Sequence, residues 1–333
     1  MPIFMIGMQR SGSNLLRLMM NQLSSIAAPH PPHVLERLGP YEKKYGDLAV
    51  DENFRQLVQD VCQLVETNPV KWQSVTLDRN QISDSCQERS LVAVYGAVHD
   101  CLARAWGADD WLCKSMANIH YLEEIERYFG ESARFIYLYR DGRDVALSFR
   151  KALIGDKTYY HLGKSWDEAQ QLCLNLRRRT QPNQFIAISY EELTLSSESV
   201  LKRLCHFLGR EYQPEMLDFH SSKEAERTAV TGLWSKVSKP LDATNSNKFL
   251  KEASPEEIRL FESVAGQSLD ELGYRRQFAE QSEGYEIDGA KIAALDLQNQ
   301  RLRAKAQRMA DPEDLERRRP QMKLMESIQF RFA

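Results

Sequence analysis

Three short apolar runs constrain this chain most: residues 3–7 (IFMIG), 135–139 (FIYLY) and 185–189 (FIAIS). Each is too short to be an ordinary helix and is cut off by glycine or polar residues, as buried strands are. Each is followed by apolar residues at helical spacing, over 13–23, 144–153 and 199–208, the last ended by Gly209. A fourth strand candidate, 111–114 (WLCK), precedes a helical stretch over 119–129 that Gly130 closes. Apolar strands alternating with helices predict an α/β fold of three layers, a central, mostly parallel sheet flanked by helices.

Two further helical patterns, 51–66 and 89–106, enclose a polar stretch at 67–88. Together they read as a helical insertion over 41–110 that borders a site and shapes its pocket. Beyond residue 275 the pattern changes, and residues 290–333 hold ten Lys/Arg and six Asp/Glu with few large apolar groups. Ile292, Leu295, Asn299, Leu302, Ala306 and Met309 recur at spacings of three and four. That stripe is about two and a half heptads, fewer than the three or four a coiled coil needs. It predicts a helix packed on its own domain or, as the alternative, a homodimer formed through this C-terminal helix. The organisation expected is a main domain over 1–276 and a helical extension over 277–333.

Composition narrows the function classes. A net charge of −3 gives no global basic field for nucleic acid. No apolar stretch approaches a membrane span, and the start lacks the charged region and long apolar core of a signal peptide. The six cysteines show neither CxxC pairs nor metal-ligand spacing. Reduced thiols, a cytoplasmic location and no metal site are the expectations.

The first strand runs into residues 7–14, GMQRSGSN, which have the outline of a phosphate loop, G-x-x-x-x-G. A nucleotide triphosphatase would continue with Lys and then Ser or Thr, whereas Ser13 and Asn14 stand here. Gly12 permits a tight turn, and the N–H groups of Ser11, Gly12, Ser13 and Asn14 at a helix N-terminus make an anion site. Arg10 adds a planar cation suited to a tetrahedral oxyanion. The anion expected is therefore one that needs no Mg²⁺ for its chemistry.

This loop resembles the 5′-phosphosulfate loop of sulfotransferases that use 3′-phosphoadenosine 5′-phosphosulfate (PAPS), in the Arg-containing version of tyrosylprotein sulfotransferases and many bacterial members. Further motifs follow in the family's order. Residues 135–149, FIYLYRDGRDVALSF, are similar to the strand and helix that hold the 3′-phosphate, which implies that role for Arg140 and Ser148. An Arg at a strand's C-terminal end also faces the crevice where α/β folds bind ligands. Arg143 and Arg150 lie nearby and read as a solvated helix face. WLCKS resembles the strand whose Lys lies near the bridging oxygen of the donor, which implies that role for Lys114. The stretch 188–193, ISYEEL, resembles the strand whose Tyr touches the nucleotide, here Tyr190. The segment 232–250 resembles the one that covers the nucleotide; it supplies Lys236, Lys239 and Lys248, and Lys248 is the phosphate contact expected. The resemblance covers about residues 2–276 and implies a P-loop-like fold.

Transfer to an alcohol needs a general base for the hydroxyl proton. Where family members carry theirs, this chain has residues 29–36, PHPPHVLE. His30 and His33 stand in a proline-stiffened loop, and imidazole, with a pKa near ~6.5, is a base at neutral pH. His33 is preferred because Val34 and Leu35 follow it; His30 and Glu36 come next, and His120 is a weaker rival. The reading is a sulfotransferase acting by direct in-line transfer from PAPS, with Arg10, Lys114, His33 and His30 as catalytic candidates. The acceptor is a small molecule, carbohydrate or other compound with a hydroxyl or amine. The alternatives are a kinase or NTPase with a degenerate phosphate loop, and a non-catalytic nucleotide-binding interaction protein.

Overall fold

The computed structural model describes residues 1–230, 237–279, 285 and 287–332. Among these residues, one sheet is built from β1 (Pro2–Gly7), β2 (Ile26–Ala27), β3 (Asp110–Cys113), β4 (Arg134–Tyr139) and β5 (Phe185–Ser189). Its order is β2-β3-β1-β4-β5 and every pairing is parallel. The α/β architecture expected from the alternating runs is thus present, and it fits the P-loop-like fold that the resemblance implies. Because all strands run the same way, their C-terminal ends share one edge. The chain leaves β1 toward Arg10, β3 at Lys114, β4 at Arg140 and β5 at Tyr190, so that edge gathers residues distant in sequence.

Strand alternation divides the core between the two faces. Phe4, Ile6, Trp111, Cys113, Phe135 and Tyr137 pack on one side, with helices Asp51–Glu66 and Leu91–Trp106. Ile3, Met5, Leu112, Ile136, Leu138 and Ile188 pack on the other, with helices Ser13–Met20 and Ser197–Phe207. Phe4 lies opposite both Cys113 and Phe135 in register, and its ring meets Trp111 edge-on at 5.4 Å. Each such side chain contributes about 1.5–3 kcal/mol when removed from water. The strands are therefore apolar on both faces, and that is why they were legible as short continuous runs.

Some elements differ from the sequence expectation. The first helix ends at Met20 rather than 23. The polar stretch 67–88, which reads as loop with short pieces of structure, holds one such piece, the helix Arg79–Ser85 capped by the Asp78 side chain. The 21-residue helix Tyr159–Arg179 has no counterpart among the patterns read from the sequence. Its apolar residues serve two partners at once. Ala169, Cys173, Leu174 and Leu176 join the sheet's core, while Tyr159, Leu162 and Trp166 pack with Phe261 from helix Pro255–Glu271. A helix covered on two sides shows no single stripe.

The extension folds back on the rest of the chain. In helix Gly289–Arg308, Leu295 is buried, and the Asn299 side chain accepts the Lys157 N–H at 2.7 Å and donates to Asp156 at 2.8 Å. Helix Pro312–Arg331 buries Ile328, and Arg331 donates to buried Asp60 at 2.6 Å. The end of the chain is held at the 41–110 segment, where the Phe332 ring meets that of Tyr45 at 4.8 Å.

Arg17, on the first helix, is fully buried. It donates to Glu224 at 2.9 Å, to Thr228 at 2.7 Å, to the Ala28 carbonyl at 2.9 Å and to Asn14 at 3.2 Å. It thereby ties the helix that follows the glycine loop to helix Lys223–Ala229. Removing it would leave the buried Glu224 carboxylate with only Arg227, at 3.9 Å, in place of its close partner. Arg17→Met is expected to cost about 3–5 kcal/mol in urea unfolding, with part regained in Arg17→Met/Glu224→Gln. A loss below about 1 kcal/mol for the single variant would mean that the pair does not organise this region.

Candidate active site

The loop after β1 turns through two left-handed residues, Arg10 (φ 71°) and Gly12 (φ 92°). Gly12 lies against the Tyr190 ring so closely that an added Cβ would sit 2.5 Å from the ring edge. Only glycine fits both the angle and the contact. No side chain caps the following helix, whose first internal bond runs from the Leu16 N–H to the Gly12 carbonyl. The N–H groups before Leu16 are thereby left to face an anion. Ser11 is buried, and its hydroxyl oxygen has no hydrogen-bond partner among the described residues.

Arg140 follows β4 and reaches this same loop. It donates from Nη1 to the Arg10 carbonyl at 3.2 Å and from Nη2 to the Asn245 carbonyl at 2.6 Å. Its guanidinium lies 4.3 Å above the Tyr190 ring, and its buried Nε has no partner among the described residues. Arg10 in turn donates from Nε to Ser148 Oγ at 3.0 Å. Burial, with Arg140 nearby, lowers the pKa of the Arg10 guanidinium. Ser148 lies two turns along helix Gly142–Lys151, as its spacing from Arg140 predicts. Asp144 on that helix accepts the backbone N–H groups of Asn247 at 2.6 Å and Phe249 at 2.9 Å. The Asn245 amide donates to the Tyr190 hydroxyl at 2.9 Å. These bonds fasten the segment that carries Lys239 and Lys248 across the cleft. Lys236 lies outside the described residues. Arg143 is not solvated but buried, paired with Asp141 at 2.7 Å and Glu262 at 2.6 Å. Arg150 pairs with Glu257 at 2.6 Å and is likewise held by structural partners.

The opposite wall carries Lys114 and the two histidines. Lys114 follows β3 and is buried; burial, with Arg17 and Arg10 nearby, pushes its pKa down to about 7. His33 adopts a left-handed backbone (φ 60°) at the start of helix Val34–Leu38. Its Nδ1 lies 3.0 Å from Glu36 Oε2 and 3.0 Å from Ser115 Oγ. A carboxylate at Nδ1 assigns the proton to that nitrogen and leaves Nε2 as the basic one. Burial lowers the His33 pKa, and Glu36 only partly offsets it. His30 is buried, with its ring 6.4 Å from that of His33. Burial and the nearby Lys114 and Arg17 hold its pKa well below the ordinary value. The His30 carbonyl accepts from Asn68 at 3.2 Å and Trp72 at 2.9 Å, which fixes the proline loop to the 41–110 segment. His120 is exposed and does not line the cleft.

One cleft of about 850 Å³ joins the two walls, and Arg10, Gly12, Ser13, Asn14, Lys114, Arg140, Ser148, Tyr190 and Lys248 line it together with His30, His33 and Glu36. From the 41–110 segment it takes Asn68, Pro69 and Val70. A basic, partly unsatisfied lining with a glycine turn at one end fits a small polyanion. Several contributors were missed in the sequence. Ser115 and Asn245 lie inside the WLCKS and 232–250 motifs, but nothing in those motifs singles them out, and Arg318 sits in an Arg run that reads as solvated tail.

A model of the Sulfotransferase family matches residues 2–214, which contain all five strands. Over 107 residues the chain is 30% identical to the 3-beta-hydroxysteroid sulfotransferase of Cavia porcellus, covering 27% of this chain and 36% of that protein. Over 150 residues it is 27% identical to Sulfotransferase 2A6 of Mus musculus, covering 38% and 50%. The alignments thus span between about a third and a half of these relatives' length. Among solved structures, the sulfotransferase domain from the curacin biosynthetic pathway shares the fold, with a TM-score of 0.57, 23% identity, and 82% of this chain and 97% of that one covered. The sulfotransferase domain of the Synechococcus PCC 7002 olefin synthase gives 0.56, 22%, and 80% and 94%. With the family model matched over more than half of its length, this chain belongs to the sulfotransferase family.

Proposed function

We propose that this chain moves a sulfuryl group from PAPS to the hydroxyl, or amine, of an acceptor. The observation that carries this reading is the joining of two anion-binding motifs 130 residues apart, through the hydrogen bond from Arg140 to the Arg10 carbonyl. Such a junction suits a ligand with phosphate at both ends of one nucleoside.

In this reading the N–H groups of Ser11 to Asn14, with Arg10, hold the 5′-phosphosulfate. Arg140 and Ser148 hold the 3′-phosphate through charge-assisted bonds. Tyr190 and Lys248 bear on the nucleotide. The donor, when bound, supplies an activated sulfuryl group whose transfer leaves adenosine 3′,5′-bisphosphate. Lys114 and Arg10 stabilise the negative charge that develops on the transferred group and the leaving oxygen. His33 accepts the acceptor's proton at Nε2, and Glu36 positions the ring by holding Nδ1–H. His30, buried beside it, is the second candidate for that proton. A kinase-like reading is weaker, because Ser13 stands where a phosphate loop needs its Lys. The His33–Glu36 pair favours catalysis over nucleotide binding alone.

Incubation with sulfur-labelled PAPS and a panel of alcohols, phenols and sugars tests the activity. Label is expected in an acceptor with or without EDTA, and turnover with ATP that depends on Mg²⁺ would overturn the reading. His33→Ala is expected to lower kcat about 10²-fold or more while leaving the affinity for adenosine 3′,5′-bisphosphate unchanged. Full activity in that variant would remove His33 from the role.

The pH profile follows from two groups. Burial places the His33 pKa below 6.5, so its basic form is lost only as pH falls below that value. Lys114, held down to about 7, loses its charge in the free enzyme as pH rises through that value. Thus kcat/KM for the donor is expected to be bell-shaped, with the alkaline limb moved upward in kcat because the bound anion favours the charged Lys114. An alkaline limb that persists unchanged in Lys114→Arg would refute the assignment.

A further inference from the structure

Two guanidiniums on the acceptor wall are left unexplained by donor binding and proton transfer. Arg37 lies one turn beyond His33 on helix Val34–Leu38, where its backbone N–H bonds to the His33 carbonyl at 3.0 Å. Both His33 and Arg37 line the cleft. Arg318 comes from helix Pro312–Arg331, far away in sequence, yet it lines the same cleft. Arg37 Nε and Arg318 Nη2 are both buried and have no hydrogen-bond partner among the described residues. Arg318 spends its Nε on Asp314 at 2.7 Å. Among the described residues no carboxylate lies within ion-pair distance of Arg37, and Glu36 is engaged with His33. Burial and the facing Arg318 depress the Arg37 pKa, although Glu36 acts in the opposite sense.

Like charges converging on one cavity, with buried donors still unsatisfied, are costly unless an anion lies between them. We propose that the acceptor carries an anionic group, carboxylate or phosphate, bound between Arg37 and Arg318 while its hydroxyl lies at His33. The C-terminal helix is then part of the acceptor site. Acceptors without the negative charge are discriminated against. This rests on reading His33 as the acceptor-side base, but the charge-recognition element can be measured without turnover.

The test uses the full chain saturated with adenosine 3′,5′-bisphosphate, titrated calorimetrically with octanoate, octyl phosphate and octanol. The two anions are expected to bind more tightly than octanol, and their comparison shows which headgroup is preferred. Arg318→Gln and Arg37→Gln are each expected to reduce the preference for anion over alcohol about ten- to a hundredfold. Arg318→Lys is expected to restore part of it, and nucleotide affinity in each variant reports that the fold is intact. In parallel, sulfuryl transfer to ω-hydroxyalkanoates of graded length is compared with transfer to their methyl esters. Equal binding of octanoate and octanol, or a preference that survives both glutamine substitutions, overturns the proposal. Transfer that favours neither acid nor ester also overturns it while leaving the sulfotransferase reading intact. Anion preference lost in the variants without transfer to any acceptor supports the anion site and counts against the proposed activity alone.

Discussion

The candidate site depends on Arg140 being held by an aromatic ring and a backbone carbonyl at once. Tyr190 supports its face at 4.3 Å, and the Arg10 carbonyl accepts from its edge. The same ring presses against Gly12, so the glycine turn, the arginine and the tyrosine fix one another. Three strands contribute to this stack, β1 through its loop, β4 through Arg140 and β5 through Tyr190. A parallel sheet with adjacent strand ends is what allows motifs so far apart to meet. The fold therefore acts as a positioning device, and loss of any of the three residues loosens the other two.

Charge is the second constraint. Arg10, Arg17, Lys114, Arg140 and the two histidines crowd one region in which burial disfavours every cation. Acidic partners are supplied selectively: Glu224 for Arg17 and Glu36 for His33, with Asp144 at 3.8 Å from Arg140. Burial, with Arg17 and Arg10 nearby, depresses the Lys114 pKa, and the proposed polyanionic donor would favour its charged form. Buried arginines outside the cleft, notably Arg143, are instead neutralised in pairs and spent on packing.

Much of this was legible in the sequence. The strands are short and apolar because both sheet faces are covered, and the loop, Arg140, Lys114 and Tyr190 all fall at strand ends, with Ser148 two turns into the helix after Arg140. His30 and His33 could be found because prolines and their position marked them. What stayed hidden had physical reasons. Helix Tyr159–Arg179 divides its apolar residues between two neighbours and shows no single stripe. Arg143 reads as solvated until Glu262, far along the chain, is seen to meet it. His120 lies near Lys114 in sequence but is exposed in space. Arg318 belongs to a charged stretch whose role appears only when its helix folds back over the cleft.

The most direct test of the central claim, that a single nucleotide spans the junction of the two motifs, is a calorimetric comparison of adenosine 3′,5′-bisphosphate with adenosine 5′-phosphate in the native chain and in Arg140→Ala. The account predicts that the native chain prefers the bisphosphate and that the substitution removes this preference, costing the bisphosphate more affinity than the monophosphate. A preference that persists without the Arg140 guanidinium would contradict it.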